Sequence, residues 1–444
     1  MNTQPPSLAL KPNTLPPTSR REFLKTTGAA AAGGVFAAHL SRPGTAFAAD
    51  GGTLRIGLIG CGGRGTGAAN QALNADKDVV LTAMGDVFAE QVKGSLNTLK
   101  KEMPDRVQVP PEKQFVGLDA FQKVIDSGVD VVLLCTPPGF RPQHLRAAVA
   151  AGKHVFCEKP MATDAPGVRS VLASVEEAKQ KKLSLLAGFC WRYDDACREF
   201  YKRIHDGALG DVGAVHATYL TGPVKPMPPA SSRPAGMGDV EWQLRNWYNF
   251  AWISGDGLVE QACHSVDKIA WAMKDEMPVK AVANGGRMVP NHEGNIFDHI
   301  DVFYEYASGA RATMAQRQIA NCYSDNSDYV LGSKGTGKGG WNAPVIRAAE
   351  TWRYRGPNPG SKMYQTEHNE LFAAIRKGVP INDGAWMANS TLMALMGRMA
   401  AYTGQEITWE MAMESQEKLV PDPLVWDMKL TVPPLARPGV ARYA

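Results

Sequence analysis

The sequence predicts an α/β protein in which a parallel sheet covered by helices comes first and a domain with a large, mainly antiparallel open sheet follows. From Asp50 to Thr163, continuous apolar runs alternate with helical segments, which is typical of parallel strands buried on both faces. After Ala187 the strand-like runs instead alternate apolar and polar side chains and are joined by turn residues. The length of 444 residues exceeds what one hydrophobic core usually organises, which favours two domains.

The first part of the chain contains four apolar runs that predict strands. A helix-like segment, RGTGAANQALN, follows the first run. In chain order the runs are TLRIGLIG, DVVLTAMGD, DVVLLCTPP and HVFCEKP.

The second part is expected to form hairpins and capped helices. A turn at residues 307–309 separates two strand-like runs and predicts a β-hairpin. Two helical segments end at Gly378 and Gly404, which are typical C-caps. Residues 223–238 are too rich in proline for regular structure and predict a surface loop, and the final TVPPLARPGVARYA predicts an irregular arm.

The N-terminal stretch SRREFLKTTGAAAAGG has the layout of a twin-arginine export signal, which is read by a translocase that moves folded proteins. Arg20 and Arg21 precede an Ala- and Gly-rich run that ends at Leu40 and is shorter than the roughly 20 apolar residues of a membrane span. Ala46 and Ala48 suit signal cleavage. We therefore expect a periplasmic or otherwise exported protein that is soluble after cleavage and has no stable membrane insertion.

The charge balance gives no support for a polyanionic partner. The formal net charge is +4, and residues 1–49 account for it with five basic side chains and one acid. The rest of the chain is neutral, so we expect no nucleic-acid binding. The seven cysteines show no CxxC spacing and mostly predict small buried side chains, although an oxidising compartment would permit a disulfide.

A glycine-rich turn follows the first predicted strand and opens the first predicted helix. In GLIGCGGRGTG the spacing G-x-G-x-x-G is made by Gly60, Gly62 and Gly65, with Gly63 and Arg64 inside the same turn. Such a turn lets the backbone approach a pyrophosphate, which the helix N-terminus then holds. These five residues are therefore candidate cofactor-binding residues.

The end of the second predicted strand indicates which dinucleotide binds. Asp86 stands at the tip of this strand, where a carboxylate can accept hydrogen bonds from ribose hydroxyls. A carboxylate there would repel a 2′-phosphate, which favours NAD over NADP. Arg64, inside the turn, could still pair with such a phosphate, so NADP remains the less favoured alternative.

A second candidate site follows the strand HVFC. Glu158, Lys159 and Pro160 stand at the carboxyl edge of the predicted sheet, where open α/β folds bind ligands. A lysine beside a nicotinamide can hydrogen-bond the substrate hydroxyl and stabilise the oxyanion that forms as hydride leaves. A surface lysine paired with Glu158 explains the same residues, and the residues alone leave both interpretations open.

A third cluster lies in GDGLVEQACHSVDKIAW. Glu260, His264 and Asp267 are spaced i, i+4 and i+7, which places them on one face of a helix. The histidine can accept a hydroxyl proton during oxidation and return it during reduction, with the carboxylates orienting it. Zinc ligation and a purely structural histidine are the alternatives.

Just before this cluster, RNWYNFAW offers Arg245, Trp247 and Tyr248. They could stack on a sugar and bind its hydroxyls, or they could belong to the core, and the sequence leaves both possibilities open.

Taken in order, GCGGRG, Asp86, CTPPGFRPQH, GKHVFCEKPMA, GFCWRY and the His/Asp cluster resemble the Gfo/Idh/MocA family of nicotinamide-dependent sugar and polyol oxidoreductases. The resemblance covers essentially all of the chain after the signal, and EKP is its most specific part. It implies a Rossmann domain followed by an α/β domain whose open sheet often forms an oligomer interface, so a homodimer or homotetramer is expected. The expected segments are a signal and linker (1–49), a Rossmann NAD-binding domain (50–174) and a substrate and oligomerisation domain (175–444).

The resemblance also implies roles for single residues. Lys159 would lie beside the reacting carbon, with the peptide before Pro160 often cis. The resemblance also favours the role of His264 in proton transfer over zinc ligation and a purely structural role. The residues expected to line the cofactor are Thr136, Pro137, His144 and Glu158. Those expected to flank the nicotinamide or the sugar are Trp191 and Arg192, and Tyr193 is a further candidate for contact with the substrate.

The sequence departs from the family pattern at one catalytic position. Glu260 stands where the family usually has Asp, and the Gly-Gly that often opens the segment is SGDG here. The longer carboxylate would move a substrate hydroxyl by about one methylene, so the substrates of the family cannot be assumed.

These features predict an exported oxidoreductase that transfers hydride between a tightly bound NAD and a hydroxyl or carbonyl of a sugar. NAD is made in the cytoplasm, so it would be bound before transport and would have to be restored within each cycle. A second carbonyl substrate could restore it, as in glucose-fructose oxidoreductases of the family. The alternative is a redox-neutral glycoside hydrolase that oxidises a ring hydroxyl transiently, and a non-catalytic sugar-binding protein is the least favoured possibility.

Overall fold

The computed structural model describes residues 52–443, so the predicted export signal and its cleavage site lie outside the described residues. Two sheets organise the described part of the chain. The strands of the first sheet are β1 (Leu54–Ile59), β2 (Val79–Asp86), β3 (Gln114–Val116), β4 (Val131–Leu134), β5 (His154–Cys157) and β6 (Leu185–Ala187). They are all parallel and lie in the order β3-β2-β1-β4-β5-β6, which is the Rossmann order.

Helices join these strands and cover the sheet. They are α1 (Gly63–Ala75), α2 (Ala89–Glu102), α3 (Ala120–Asp126), α4 (Arg141–Ala150) and α5 (Ala165–Gln180). The central strand β4 is buried along its whole length, which explains its continuous apolar run. Residue 174, where the sequence predicts the end of the Rossmann domain, lies inside α5, and β6 follows it. The sheet has two strands, β3 and β6, beyond the four that the apolar runs predict.

The second sheet has nine strands in the described residues. They are β7 (Val212–Thr221), β8 (Lys280–Gly286), β9 (His299–Glu305), β10 (Arg311–Gln318), β11 (Ser327–Gly332), β12 (Gly335–Gly340), β13 (Val345–Arg347), β14 (Thr351–Arg353) and β15 (Ile407–Thr408). Their order is β14-β13-β12-β11-β7-β10-β9-β8-β15. Strands β7 and β10 are parallel and the other neighbouring pairs are antiparallel, so the predicted mainly antiparallel sheet is confirmed.

This sheet has one covered face and one open face. Along β9, Ile300, Val302 and Tyr304 are buried while Asp301 and Phe303 are exposed, as expected for a sheet packed on one side. The predicted hairpin joins β9 to β10 through residues 307–309.

The remaining helices of the described part follow β6 in the chain. They are α6 (Asp195–His205), α7 (Asp239–Arg245), α8 (Ala251–Ser254), α9 (Gly257–Glu260), α10 (Cys263–Ala272), α11 (Met363–Lys377), α12 (Gly384–Thr403) and α13 (Trp409–Glu414). One of them, α11, packs back against α1 and the first sheet. Helix α12 packs between β8 of the second sheet and α5 of the first domain, so it fixes one domain against the other. Gly378 and Gly404 end α11 and α12 in the left-handed conformation, as predicted.

The loop and arm predictions also agree with the structure. Residues 223–238 contain one short 3₁₀ turn and no other helix or strand, and residues 431–443 are irregular. All seven cysteines lie in the described part of the chain, and none of them forms a disulfide. Among the helices described, none combines the length and the apolar character needed to cross a bilayer.

Candidate active site

A cleft of about 850 Å³ lies at the carboxyl edge of the parallel sheet. Its volume is at the upper end of the range of ligand pockets, roughly 300–1,000 Å³. The first wall comes from the ends of β1, β2, β4 and β5, and the second from residues 224–225, residues 244–248 and the start of α10. Ligands of open α/β sheets bind at this edge.

The glycine turn after β1 has the shape of a pyrophosphate cradle. Gly60 has φ +93°, and a Cβ there would lie 2.6 Å from the backbone nitrogen of Thr136. A Cβ on Gly65 would lie 1.9 Å from the carbonyl oxygen of Gly60, so this position holds α1 close to the strand. Around Gly62 and Gly63 no described atom lies within 4 Å of such a Cβ, which leaves the backbone open to a ligand at the N-terminus of α1. These residues therefore fit the diphosphate of NAD.

Asp86 ends β2 on the same wall. Its Oδ2 accepts a hydrogen bond from the N–H of Cys61 at 2.7 Å, and its Oδ1 accepts one from the N–H of Phe88 at 3.0 Å. Burial raises the pKa of Asp86, and these backbone donors oppose the rise. Each carboxylate oxygen keeps capacity for a further hydrogen bond, as the ribose-binding role requires.

Arg64 is not available for a 2′-phosphate. Its Nε lies 2.5 Å from Glu158 and its Nη2 lies 3.2 Å from Glu367, while its guanidinium covers the ring of Tyr364 at 4.6 Å. Burial disfavours its charge, but Glu158 and Glu367 outweigh burial and raise the pKa of Arg64. Because its guanidinium is already paired with two carboxylates, Arg64 does not offer a free charge to the 2′-phosphate of NADP. This pairing supports NAD over NADP.

Four residues expected to line the cofactor do line the cleft: Thr136, Pro137, His144 and Glu158. The Nδ1 of His144 lies 3.2 Å from the hydroxyl of Thr136, and its ring stacks on Phe121 at 4.1 Å. Burial lowers the pKa of His144 to about 3, so this imidazole is neutral at physiological pH.

Lys159 reaches across the cleft from the end of β5. Its peptide bond to Pro160 is cis, as the family resemblance led us to expect. The ammonium donates to the backbone carbonyl of Glu260 at 2.6 Å and lies 3.4 Å from the Glu260 carboxylate. Burial disfavours the charge, but Glu260 and other neighbours outweigh burial and raise the pKa of Lys159 above its usual value. Lys159 is therefore a fixed cation in the cleft.

Glu260 and His264 face Lys159 from the second domain. Glu260 ends α9 and His264 lies in the first turn of α10, so the predicted single helix is broken between them. Both line the cleft, and the buried Glu260 Oε2 and His264 Nδ1 have no hydrogen-bond partner among the described residues. Burial, together with the ammonium groups of Lys159 and Lys268, lowers the pKa of His264 well below its ordinary value.

Asp267 does not belong to this group, contrary to the prediction. It lies one turn further along α10, where it accepts hydrogen bonds from Arg192 Nη2 at 2.8 Å and from the hydroxyl of Ser390 at 2.7 Å. Arg192 also pairs with Asp275 at 2.6 Å. Asp267 and Arg192 therefore form a closed ion-pair cluster outside the cleft lining.

Trp191 and Tyr193 are likewise absent from the cleft lining. A 3₁₀ turn at Cys190–Tyr193 directs both side chains into the protein. Trp191 packs edge-on against Trp341 with ring centroids 4.7 Å apart, and the Tyr193 hydroxyl donates to Asp383 at 2.5 Å. Residues 191–193, for which the sequence predicted contacts with the cofactor and the substrate, therefore lie outside the cleft lining.

Arg245, Trp247 and Tyr248 do line the cleft. Arg245 is paired with Glu90 at 2.6 Å, so its charge is already engaged. The buried Tyr248 hydroxyl hydrogen-bonds Gln318, and its ring contacts Trp247 edge-on. Trp247 is the less buried of the two aromatic residues and is better placed to stack on a ligand.

Several cleft residues carried no recognisable signal in the sequence. They are Gln91, Lys225, Gln261 and Tyr364. Lys225 comes from the proline-rich loop, and Tyr364 starts a helix far along the chain, so neither belongs to a motif. Within residues 52–443, no group of three or more His, Cys, Asp or Glu side chains is arranged to hold a metal ion.

Two protein-family models match this chain. Residues 54–188 match the Gfo/Idh/MocA oxidoreductase family with its NAD-binding Rossmann fold, and residues 197–338 match the Gfo/Idh/MocA C-terminal domain. These matches confirm the predictions of an NAD cofactor and of an oxidoreductase.

Relatives and solved structures agree with the family matches. The inositol 2-dehydrogenase of Rhizobium meliloti is 28% identical over 350 residues, which cover 75% of this chain and 93% of that protein. The aldose-aldose oxidoreductase of Caulobacter crescentus, complexed with glycerol, has a TM-score of 0.60 at 21% identity over 80% of this chain and 99% of that chain. Levoglucosan dehydrogenase in complex with NADH and levoglucosan has a TM-score of 0.63 at 18% identity over the same shares. At these identities the solved structures support the fold alone.

Proposed function

The chain belongs to the Gfo/Idh/MocA oxidoreductase family, and we propose that it transfers hydride between tightly bound NAD and a ring CH–OH group of a sugar or cyclic polyol. One observation carries the proposal: Lys159, Glu260 and His264 converge in the cleft that also holds the glycine turn. The name of one relative, inositol 2-dehydrogenase, supports a ring hydroxyl as the reacting group.

Bound NAD would supply the hydride acceptor for oxidation and the donor for reduction. Lys159 would hydrogen-bond the reacting oxygen, because its ammonium has three donors and the Glu260 contacts use at most two of them. A fixed positive charge stabilises the negative charge that develops on this oxygen. The raised pKa of Lys159 keeps the ammonium charged, so it acts by electrostatic stabilisation while another group takes the proton.

His264 would take the hydroxyl proton during oxidation and return it during reduction. Its lowered pKa leaves the imidazole neutral near pH 7, so it has a free nitrogen that can accept a proton. Glu260 would accept a hydrogen bond from a second substrate hydroxyl through its unpartnered Oε2. Trp247 and Tyr248 would form the wall against which the ring packs.

Export and assembly are further parts of the proposal. The twin-arginine pattern around Arg20 and Arg21 supports export of the folded protein by the twin-arginine translocase to the periplasm. The open face of the second sheet exposes Val282, Phe303 and Leu331 by 45–47%, which supports a homodimer or homotetramer that covers this face.

The test is to purify the protein without added cofactor and to record the absorbance band of reduced nicotinamide while single sugars, inositols and glycosides are added. We expect the band to rise with a free sugar or polyol and to fall when a carbonyl compound is added. Lys159→Ala should reduce the rate by about 10²–10³-fold, and bound NAD should remain. Lys123→Ala, at an exposed lysine outside the cleft, is the matched control.

Two results would contradict the proposal. Wild-type turnover by Lys159→Ala would remove this lysine from the mechanism. Release of free sugar from a glycoside without a net change in the band would replace the oxidoreductase by a redox-neutral hydrolase.

A further inference from the structure

The C-terminal segment 416–432, which we name the strap, crosses from α13 to α7 without forming a helix or a strand, and it contains one turn at residues 425–428. Its side chains alternate between half-buried and exposed from residue 424 to residue 432. The inward residues are Leu424, Trp426, Met428, Leu430 and Val432. The outward residues are Val425, Asp427, Lys429 and Thr431. This alternation shows that one side of the strap is packed along its length.

Backbone hydrogen bonds fix the strap at two places. Near its start, the N–H of Leu419 donates to the Asp164 carboxylate at 2.9 Å. Near its end, the N–H of Leu430 donates to Asp239 at 3.1 Å, and its carbonyl accepts from the Gln243 amide at 2.7 Å. Asp164 caps α5 of the first domain, whereas Asp239 and Gln243 belong to α7. The strap therefore ties α7 to the first domain.

The apolar side of the strap belongs to a hydrophobic cluster that includes both domains. From the second domain the cluster takes buried residues of α7 and α8, together with Phe250, which directly precedes α8. They are Val240, Trp242, Leu244, Phe250, Trp252 and Ile253. From the first domain the cluster takes Val87, Phe88, Leu118 and Phe140, and all four of these line the cleft. The packing that holds the strap is thus continuous with one wall of the cofactor cleft.

Phe88 is the point where the strap, α7 and the cofactor site meet. Its N–H donates to Asp86, the carboxylate assigned to the adenosine ribose. The Trp426 ring contacts its ring edge-on with centroids 6.1 Å apart, and the guanidinium of Arg245 lies 4.1 Å from its centre. Arg245 also reaches Glu90 of α2 at 2.6 Å.

We propose that the strap is part of the cofactor site: by holding α7 and Arg245 against Phe88, it closes the adenosine end of the cleft and retains NAD through turnover. The proposal rests on the proposed use of NAD and adds the element that prevents its exchange. Phe88 and Glu90 come from the first domain, whereas Arg245 and Trp426 come from the second. The adenosine end cannot widen unless these contacts separate.

The apolar contact is the main element of this closure. Arg245 and Glu90 are 36% and 56% exposed, and an exposed ion pair contributes little because water and salt screen it. Trp426 is half-buried and adds a large aromatic surface to a cluster of packed side chains. We therefore expect Trp426 to affect cofactor retention more than Arg245.

Retention suits an enzyme that restores its cofactor in each cycle. If NAD cannot leave, a second carbonyl substrate must be reduced in the same cleft before the next oxidation. Such an enzyme needs no dissolved NAD, which agrees with the proposed export.

The test measures exchange of bound NAD in the full-length protein. Isotopically labelled NAD is added in excess to the protein as purified, the protein is desalted at intervals, and the bound cofactor is released and measured by mass spectrometry. Wild-type protein should keep its original NAD over many turnovers. Trp426→Ala should exchange at least tenfold faster, Arg245→Gln should show a smaller increase, and Trp426→Phe should stay close to wild type because it keeps an aromatic ring.

Leu435→Ala is the matched control, because it removes a partly buried apolar side chain from the same C-terminal arm but outside the cluster at Phe88. Denaturant unfolding of every variant separates a loss of stability from faster exchange. Arg245→Gln, at a more exposed position, keeps the test decisive if Trp426→Ala does not fold.

The outcomes distinguish this inference from the proposed function. Wild-type exchange rates in folded Trp426→Ala and Arg245→Gln would overturn the role of the strap, and so would rapid exchange in the wild type. Equal acceleration in Leu435→Ala would show that the arm acts only through stability. A wild-type protein that neither contains nor binds NAD would instead contradict the proposed function.

Discussion

Two cation–carboxylate clusters each include one residue of α10, His264 in the first and Asp267 in the second, and they differ in how their hydrogen bonds are satisfied. In the first, Lys159 meets Glu260 beside His264, and the buried Glu260 Oε2 and His264 Nδ1 have no partner among the described residues. In the second, Arg192 meets Asp267, which also accepts a hydrogen bond from Ser390. The first cluster opens to the cleft and the second does not.

The difference separates groups that can act on a ligand from groups that stabilise the fold. A buried polar atom without a partner is costly, so a folded protein keeps one mainly where a ligand or water completes it. A buried ion pair with several hydrogen bonds has no remaining capacity for a ligand, but removing one partner leaves the other uncompensated. The open cluster should therefore control activity and the closed cluster should control stability.

Replacing one residue from each cluster should give opposite results. His264→Gln should lower kcat by about 10²–10⁴-fold because it removes the proton acceptor, and it should change the free energy of unfolding by less than about 1 kcal/mol because Nδ1 loses no partner. Asp267→Asn should lower the free energy of unfolding by about 3 kcal/mol and should leave kcat of the folded fraction close to wild type. Denaturant unfolding and steady-state kinetics on the same preparations test both variants.

The opposite result would contradict this division into an open cluster that controls activity and a closed cluster that controls stability. A large loss of kcat in a stable Asp267→Asn protein would mean that Asp267 acts on the reaction through α10, as the spacing in the sequence first suggested.

The sequence predicted the first wall of the cleft better than the second, for a physical reason. Gly60, Asp86 and Lys159 stand where buried parallel strands end, and the sheet alone fixes that edge. In contrast, the directions of the side chains in Cys190–Tyr193 depend on partners such as Trp341 and Asp383 that are distant in the chain. No local pattern encodes those partners.

The spacing of Glu260, His264 and Asp267 shows a second limit. Glu260 and His264 both line the cleft, but α9 ends at Glu260 and the cleft reaches only the first turn of α10. Helical periodicity predicts a shared face and does not indicate how much of that face a cleft covers.

The first wall of the cleft offers a second test of the difference between groups that can bind a ligand and groups whose hydrogen bonds are already satisfied. Asp86 should accept the ribose hydroxyls, whereas Arg64 is closed by Glu158 and Glu367. Asp86→Ser should therefore weaken NAD binding by about 1.5–3 kcal/mol, the usual contribution of hydrogen bonds to a charged group. It should not create a preference for NADP, because Arg64 stays paired. Calorimetric titration of cofactor-free protein with both dinucleotides measures this, and a switch to NADP would show that Arg64 is free to move.

His368 shows what burial outside the cleft lining does to the pKa of a titratable group. It is buried against Phe156, and burial lowers its pKa to about 3. The ordinary histidine pKa is about 6.5, so on acidification the unfolded chain binds a proton that the folded protein does not, and stability falls. From pH 7 to pH 5 this loss is about 2 kcal/mol.

His368→Asn should remove that loss, because asparagine does not titrate and can still donate towards the carbonyl of Tyr364. Denaturant unfolding at pH 7 and pH 5 should show that the wild type loses about 2 kcal/mol more than the variant. Equal losses would mean that His368 does not contribute to the acid sensitivity.

The smallest expected effect concerns which substrate the open cluster prefers. Glu260→Asp shortens the carboxylate by one methylene and restores the residue that the family usually has. The 2.6 Å bond from Lys159 goes to the backbone carbonyl of residue 260, so the lysine should stay in place. A shift of one methylene is worth at least about tenfold in discrimination.

We therefore expect the ratio of kcat/KM between inositols and other ring sugars to change about tenfold in favour of inositols, while NAD binding stays constant. An unchanged ratio across a panel of sugars would show that the Glu260 carboxylate does not contact the substrate.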